Sequence, residues 1–175
     1  KILSFSNISK KGRDNGGILM AFVVIYTVGR LHHPYDHTAS HEFFKVGYEV
    51  MRQAEKSGQL VKEFSPFGVP IPEEAAKGDG YPVLTLTVWK SLLALHRFTY
   101  SGQHKYALRN RSKWMESYPE KHIPYVMWWT EKVEDVSWEE AFKRYNYYIQ
   151  NGSTSFVFDF KQTFDEKAER IEVSK

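Results

Sequence analysis

Cysteine is absent from this 175-residue chain. That removes disulfide frameworks, thiolate nucleophiles and thiolate metal sites in one step. The short motifs of common catalysis are missing too. There is no Ser-His-Asp order, no phosphate-binding glycine loop and no dinucleotide fingerprint. Charge of one sign is scarce: 24 Lys and Arg face 21 Asp and Glu, for a formal charge of +3. The two signs are interspersed, and no basic block of the kind that follows a phosphate backbone is present, so no nucleic-acid partner is expected. Long hydrophobic runs are also lacking. The longest, Ile18 to Val28, is too short to span a bilayer. It has no small-residue cleavage site and leads straight into a polar segment, so it reads as a buried strand rather than a targeting segment. The expectation is a cytoplasmic chain with no membrane partner.

Aromatic residues, by contrast, are plentiful at 16% within a hydrophobic share of 42%. So many rings build a core, line a pocket, or do both. The length suits one domain with tails and can bury a core without staples. Residues 1–17 are polar, with Ser, Asn and Lys, and 1–19 read as a disordered or added tail ahead of Met20. Residues 20–162 read as the folded domain and 163–175 as a polar tail.

Within the domain, Phe22 to Val28 is rich in β-branched and aromatic residues and predicts a strand, followed by a loop from Gly29 to Tyr35. Thr38 or Ser40 can cap a helix to Lys56, whose residues Phe43, Phe44, Val46, Val50, Met51 and Ala54 recur at helical period. Leu60 to Phe67 alternates as a strand, Gly68 to Tyr81 is turn-rich, and Pro82 to Trp89 alternates cleanly. Ser91 opens a helix that Ser101-Gly102 interrupts, and helical character resumes from His104 to Met115. Tyr125 to Thr130 is a fourth strand. Ser137-Trp-Glu-Glu140 has the capping-box form and starts a helix to about Gln150. Ser155 to Phe160 is a short strand-like run. The order βαββαβ, with an added helix and short strand, is that of a ferredoxin-like α+β fold with an antiparallel four-stranded sheet.

The stretch from Thr87 to Met115 holds Val88-Trp89-Lys-Ser91, Phe98-Thr-Tyr100 and His104-x3-Leu108-x2-Arg111-x2-Trp114, and Trp128-Trp129 follows. This pattern resembles an uncharacterised family of domains of unknown function in the dimeric α/β-barrel superfamily. The resemblance spans most of Val23 to Phe160. The chain departs from the family at Glu131 to Val136, where a Gly-His-Arg-Pro-like turn is usual, and at Gly152 to Ser155, in place of Gly-Pro-Thr-Pro. The superfamily includes antibiotic-biosynthesis-type monooxygenases, haem-degrading oxygenases, chlorite-dismutase-like haem proteins and polyketide cyclases. The resemblance therefore implies a homodimer and a pocket for a small hydrophobic molecule. It also implies a functional histidine near the position of His104.

Four constellations are candidates for function. His104 and Arg111 fall on one helix face with Leu108 and Met115. As a pair they suit an acid or base beside an anion-stabilising guanidinium, and equally a helix-pinning imidazole beside a structural ion pair. Tyr100, Trp89, Trp114, Trp128 and Trp129 are candidate substrate-binding residues, with period two sending Trp128 and Trp129 to opposite sheet faces. His32, His33, Asp36, His37 and His41 crowd the first helix start. His37 and His41 have the i, i+4 spacing of paired metal ligands, but the glutamate of helical zinc hydrolases is missing, so a solvated helix start is the plainer reading and no metal is expected. Phe142 to Tyr148 mixes aromatics with Lys143 and Arg144 and reads as a helix covering the sheet edge or a dimer seam.

The leading expectation is a small-molecule enzyme of monooxygenase-like or cyclase and proton-transfer type, without cofactor, acting on a hydrophobic, aromatic or polyketide-like substrate. His104 would be its acid or base and Arg111 its anion stabiliser. Haem binding with His104 as axial ligand, or a non-catalytic ligand-binding dimer, are the alternatives.

Overall fold

The computed structural model describes residues 20–76, 80–117 and 123–173. In chain order the elements are β1 (Phe22–Leu31), α1 (Thr38–Lys56), β2 (Leu60–Glu63), α2 (Glu73–Ala76), β3 (Tyr81–Trp89), α3 (Leu92–Thr99) and α4 (Gly102–Asn110). Then come β4 (Tyr125–Thr130), α5 (Trp138–Asn151), β5 (Thr163–Phe164) and β6 (Arg170–Ile171). Strands β1 to β4 form one sheet in the order β2-β3-β1-β4. Every pairing in it is antiparallel. The fold is α+β, with β1 at the centre pairing to β3 and β4 along most of its length.

Period two sorts the strand residues onto two faces. Val24, Tyr26, Val28, Leu84, Leu86, Val88, Val126 and Trp128 face one way and meet Trp138, Ala141 and Tyr145 of α5. Val23, Ile25, Trp89 and Met127 face the other and meet Ala54 of α1 and Leu92, Leu95 and Phe98 of α3. The near-continuous apolar run in β1 is the signature of a strand covered on both sides. Trp128 and Trp129 do take opposite faces, as their spacing requires.

Several boundaries differ from the sequence reading. Strand β1 continues through Gly29 to Leu31, pairing Gly29 with Val83 and Leu31 with Tyr81, where a loop is expected. Gly29 suits this strand because a Cβ there would come within 3.1 Å of the Met115 side chain. Strand β2 ends at Glu63 rather than Phe67. Phe64 still donates to Leu86 at 3.0 Å, but Pro66 has no N–H to extend the ladder. The cap of α1 is His37, whose Nδ1 accepts from the Ala39 N–H at 3.1 Å, not Thr38 or Ser40. The helical stretch expected to reach Met115 stops at Asn110 and passes into a 3-10 turn, Arg111–Lys113. The two helices α3 and α4 are separated at Ser101, where the Ser101-Gly102 interruption is expected.

The polar tail expected from residue 163 is a correction. Residues 163–171 form the β5–β6 hairpin, and Phe164, Ile171 and Val173 pack against the cluster under α1 and α3. Its turn is held by Asp165, whose carboxylate accepts from the N–H groups of Lys167 and Glu169. The strand-like run from Ser155 makes one bridge to the sheet, Met127 to Phe158, with N···O distances of 2.8 and 2.9 Å. This bridge occupies part of the otherwise open edge of β4, an effective way to blunt a sheet edge. The expected tail over residues 1–19 lies outside the described residues.

A ferredoxin-like sheet leaves one face poorly covered, a face that a second copy of the chain can bury. Here α5 closes that face. Tyr145 packs edge-on against Tyr26 at 5.8 Å, Trp138 does so at 6.0 Å, and all three rings are buried. The area a second copy would cover is already dry in one chain. Arg144 pins α5 further. It pairs with Glu140 at 2.7 Å, donates to the Phe156 carbonyl and lies over the Trp128 ring at 5.2 Å.

Tyr145→Ala is expected to destabilise the fold by about 3–5 kcal/mol, the usual cost of deleting a buried ring, as read by urea denaturation. A loss within about 0.5 kcal/mol, the range of a surface change, would show that α5 does not seal the face.

Candidate functional site

The environment of His104 begins with a break in the chain. Tyr100 ends α3, and Ser101 turns to an extended conformation as the cap of α4 but makes no side-chain capping bond of its own. The free N–H groups at the start of a helix need an acceptor. Gln53 of α1 supplies it across the gap between helices. Its Oε1 accepts from the N–H of Gln103 at 2.7 Å and, more weakly, of His104 at 3.4 Å, while its Nε2 donates to the Ser101 carbonyl at 3.3 Å. Gly102 makes this possible. Its φ is +49°, and a Cβ there would sit 2.6 Å from the Gln53 oxygen. The Ser101-Gly102 interruption is thus a docking point between two helices.

The His104 ring lies inside this arrangement. Its Nδ1 is 2.8 Å from the Thr99 carbonyl oxygen. A carbonyl only accepts, so Nδ1 carries the proton and Nε2 keeps its lone pair in the neutral ring. Burial lowers the pKa of His104 from its ordinary 6.5, against a smaller upward pull from the Thr99 bond. Desolvation, not a neighbouring guanidinium, is therefore what keeps the ring neutral. Behind it stand two rings in series: Phe98 at 4.9 Å, then Trp89 at 4.6 Å from Phe98. A neutral imidazole of one tautomer, backed by an apolar wall, can accept a proton or bind an electrophile through Nε2.

The other expected site residues are dispersed. Arg111 opens the 3-10 turn and lines a groove of about 410 Å³ with Leu108, Ser112, Met115 and Glu116. His104 is not part of that lining, and the partners described for it are Thr99, Phe98 and Gln53. Trp89 is core, its Nε1 donating to Thr87 at 3.0 Å. Trp114 donates to Glu42 at 3.2 Å and ties the end of the α4 segment to α1. Trp128 is buried under α5, whereas Trp129 donates to the Phe164 carbonyl at 2.8 Å on the opposite face. Tyr100 is 46% exposed, beside His96 at 4.8 Å. Of the five aromatics, Trp89 alone joins the ring series behind His104.

The histidines before α1 do structural work. His37 uses Nδ1 on the helix cap, His33 stacks on it at 4.2 Å, and His32 is 3.3 Å from the Ser112 carbonyl. Among the described residues, no group of three His, Cys, Asp or Glu is arranged to hold a metal ion.

Sequence reasoning missed a second polar centre. Asp159 is 4% exposed. Its Oδ1 accepts from the N–H of Lys161 at 2.7 Å and of Gln162 at 2.8 Å, and its Oδ2 accepts from the Tyr148 hydroxyl at 2.6 Å. The nearby Tyr125 hydroxyl accepts from the Phe160 N–H at 3.1 Å. Burial pushes both tyrosines above the ordinary phenol range, and the bond to Asp159 adds to the rise at Tyr148. Both phenols therefore stay protonated. The centre clasps the C-terminal segment onto α5 and β4. The one signal for it was a lone acid in the apolar run Phe156 to Phe160.

Residues 23–174 match the model of a family described as a domain of unknown function (DUF3291). No curated protein and no solved structure matches the chain.

His104 yields a pH prediction. Its folded pKa lies below its unfolded value of 6.5, so between the two the unfolded chain binds the extra proton. Its effect on stability is constant above the unfolded pKa and turns unfavourable as pH falls through the window toward the folded pKa. The stability difference between wild type and His104→Gln should be flat above that pH and shift in favour of the variant below it. A difference independent of pH across the window would refute a ring held neutral by desolvation. Separately, Gln53→Ala should cost about 1 kcal/mol as a lost helix cap and speed amide exchange at Gln103 and His104. Unchanged exchange at both would refute the cap.

Proposed function

The chain belongs to the DUF3291 family, and we propose that it is a small-molecule enzyme in which Nε2 of His104 is the acid or base. The single observation that carries this is the state of the ring: half-buried, neutral, fixed in one tautomer by the Thr99 carbonyl, and backed by Phe98 and Trp89. A base held neutral near physiological pH is poised for proton transfer. The reaction class is monooxygenase-like without a cofactor, or cyclisation by proton transfer, on a hydrophobic, aromatic or polyketide-like substrate in the cytoplasm. The strand order β2-β3-β1-β4 with antiparallel pairing supports reading the fold as ferredoxin-like and as a member of the dimeric α/β-barrel superfamily. Arg111 is the anion stabiliser in this reading only if substrate bridges its groove and His104. The homodimer belongs to the reading through the superfamily alone, since α5 occupies the sheet face; a dimer mass by light scattering at micromolar concentration would support it, and a monomer would remove it.

Haem binding is the second reading, favoured by the same free Nε2. A carbonyl on Nδ1–H is how proteins orient a metal-bound imidazole, so His104 fits an axial ligand in that respect. Neither groove described includes His104 in its lining, and the enzyme reading asks for less space at the ring. In the third reading the chain only carries a ligand.

Mass spectrometry of ligands that co-purify with the chain, followed by turnover assays on them and on a panel of aromatic and polyketide-like compounds, tests the leading reading. His104→Ala and His104→Gln should each lower turnover by about 10²–10⁴-fold while circular dichroism stays unchanged. Turnover at the wild-type rate in both variants would end the assignment. A Soret band on adding haemin that His104→Ala abolishes would move the assignment to the haem reading.

A further inference from the structure

A second groove lies between the C-terminal end of α1 and the outer face of α3, with a volume of about 410 Å³. That is within the size range of small-molecule sites. Gln53 and Ser57 form one wall, four residues apart on α1. Leu93, Ala94 and Arg97 form the other, at helical spacing on α3, and Phe98 adds a ring. The lining contains one cation, Arg97, and no carboxylate. Among the described residues Arg97 has no acidic partner in the ion pairs formed.

The surroundings sharpen the sign of the charge the groove prefers. The C-terminal end of α1 would ordinarily present open carbonyls and a negative potential. Here the carbonyls of Gln53, Ala54 and Glu55 are occupied. The Ser57 N–H donates to Gln53 and Ala54, the Ser57 hydroxyl to Ala54 at 2.6 Å, and the Gly58 N–H to Glu55. On the other wall the N-terminus of α3 faces the groove, its cap made by the Ser91 hydroxyl accepting from the Ala94 N–H at 3.1 Å. With most of the α1 carbonyls bonded, the Arg97 guanidinium, helped by the N-terminal end of α3, favours one negative charge. Leu93, Ala94 and Phe98 offer an apolar strip beside it, and the Gln53 amide offers polar contact.

We propose that this groove binds a small monocarboxylate with an aromatic or aliphatic body, its carboxylate held by Arg97 and its body laid along Leu93 and Phe98. A guanidinium presents two parallel N–H groups that match a carboxylate. One cation suits one charge, so a monoanion fits better than a phosphate dianion. Phe98 and Gln53 also support the His104 ring and the start of α4, so an occupied groove sits one aromatic ring from His104. The groove is defined by its own charge and shape, and its binding does not depend on turnover at His104.

The test uses the full chain, with benzoate as probe and benzyl alcohol and inorganic phosphate as controls, followed by calorimetry and amide chemical shifts. Saturable benzoate binding with shifts centred on Gln53, Ser57, Arg97 and Phe98 is the expected result. It should weaken by about tenfold or more in Arg97→Ala and Arg97→Gln, whose exposed position leaves folding intact by circular dichroism. Benzyl alcohol should bind at least about tenfold more weakly than benzoate. Absence of saturable binding, shifts centred elsewhere, or equal affinity in the Arg97 variants would overturn the site. Phosphate binding as tightly as benzoate would overturn the carboxylate assignment, because the apolar strip would then contribute nothing.

Discussion

Everything in this fold depends on a strand that is dry on both sides. In β1, residues Val23, Val24, Ile25, Tyr26 and Val28 are all buried, alternating between the two sheet faces. Neither face of such a strand can be left to water, at roughly 25 cal/mol per Å² of apolar surface. Two layers must therefore be built. Helices α1 and α3 cover one face and α5 the other. Helices α1 and α3 are held in place by this requirement, whereas α4, which carries His104 and buries no residue fully, is held by its bonds to Gln53.

The face under α1 and α3 is where polar groups are organised with most consequence. Gln53 joins α1 to α4 through backbone groups that would otherwise be unsatisfied, and the glycine at 102 is what lets the two approach. The consequence for His104 is indirect but specific. The turn that presents the Thr99 carbonyl to Nδ1 is the same turn that Gln53 clasps. The tautomer of one side chain thus depends on how two helices meet. Desolvation sets its charge, and the two effects together leave a neutral ring with one free nitrogen.

At the far end of the sheet, the C-terminal segment is tied down by Asp159 and Tyr148, by the bridge from Phe158 to Met127, and by Trp129 donating to Phe164. These contacts turn residues that look polar and expendable into part of the second core cluster. They also explain why large aromatics are so numerous without any one pocket gathering them. Trp89, Trp114, Trp128 and Trp129 each anchor a different pair of elements.

Alternation and helical period were enough to read the strands, the main helices and the opposite orientations of Trp128 and Trp129, because side-chain direction follows directly from local backbone geometry. His104 stood out by its helical spacing to Arg111 and by family resemblance. Other features were decided only by tertiary structure. Arg111 falls in a separate groove because the chain leaves α-helical geometry at Asn110 and carries Met115 back to β1. Gln53 looks like any surface glutamine of a helix until α4 docks against it, and Asp165 looks like a tail residue until its carboxylate closes a hairpin. The covering of the sheet by α5 depends on which face an amphipathic helix reaches. Local pattern records that a helix has an apolar side; only the path of the whole chain determines what that side meets.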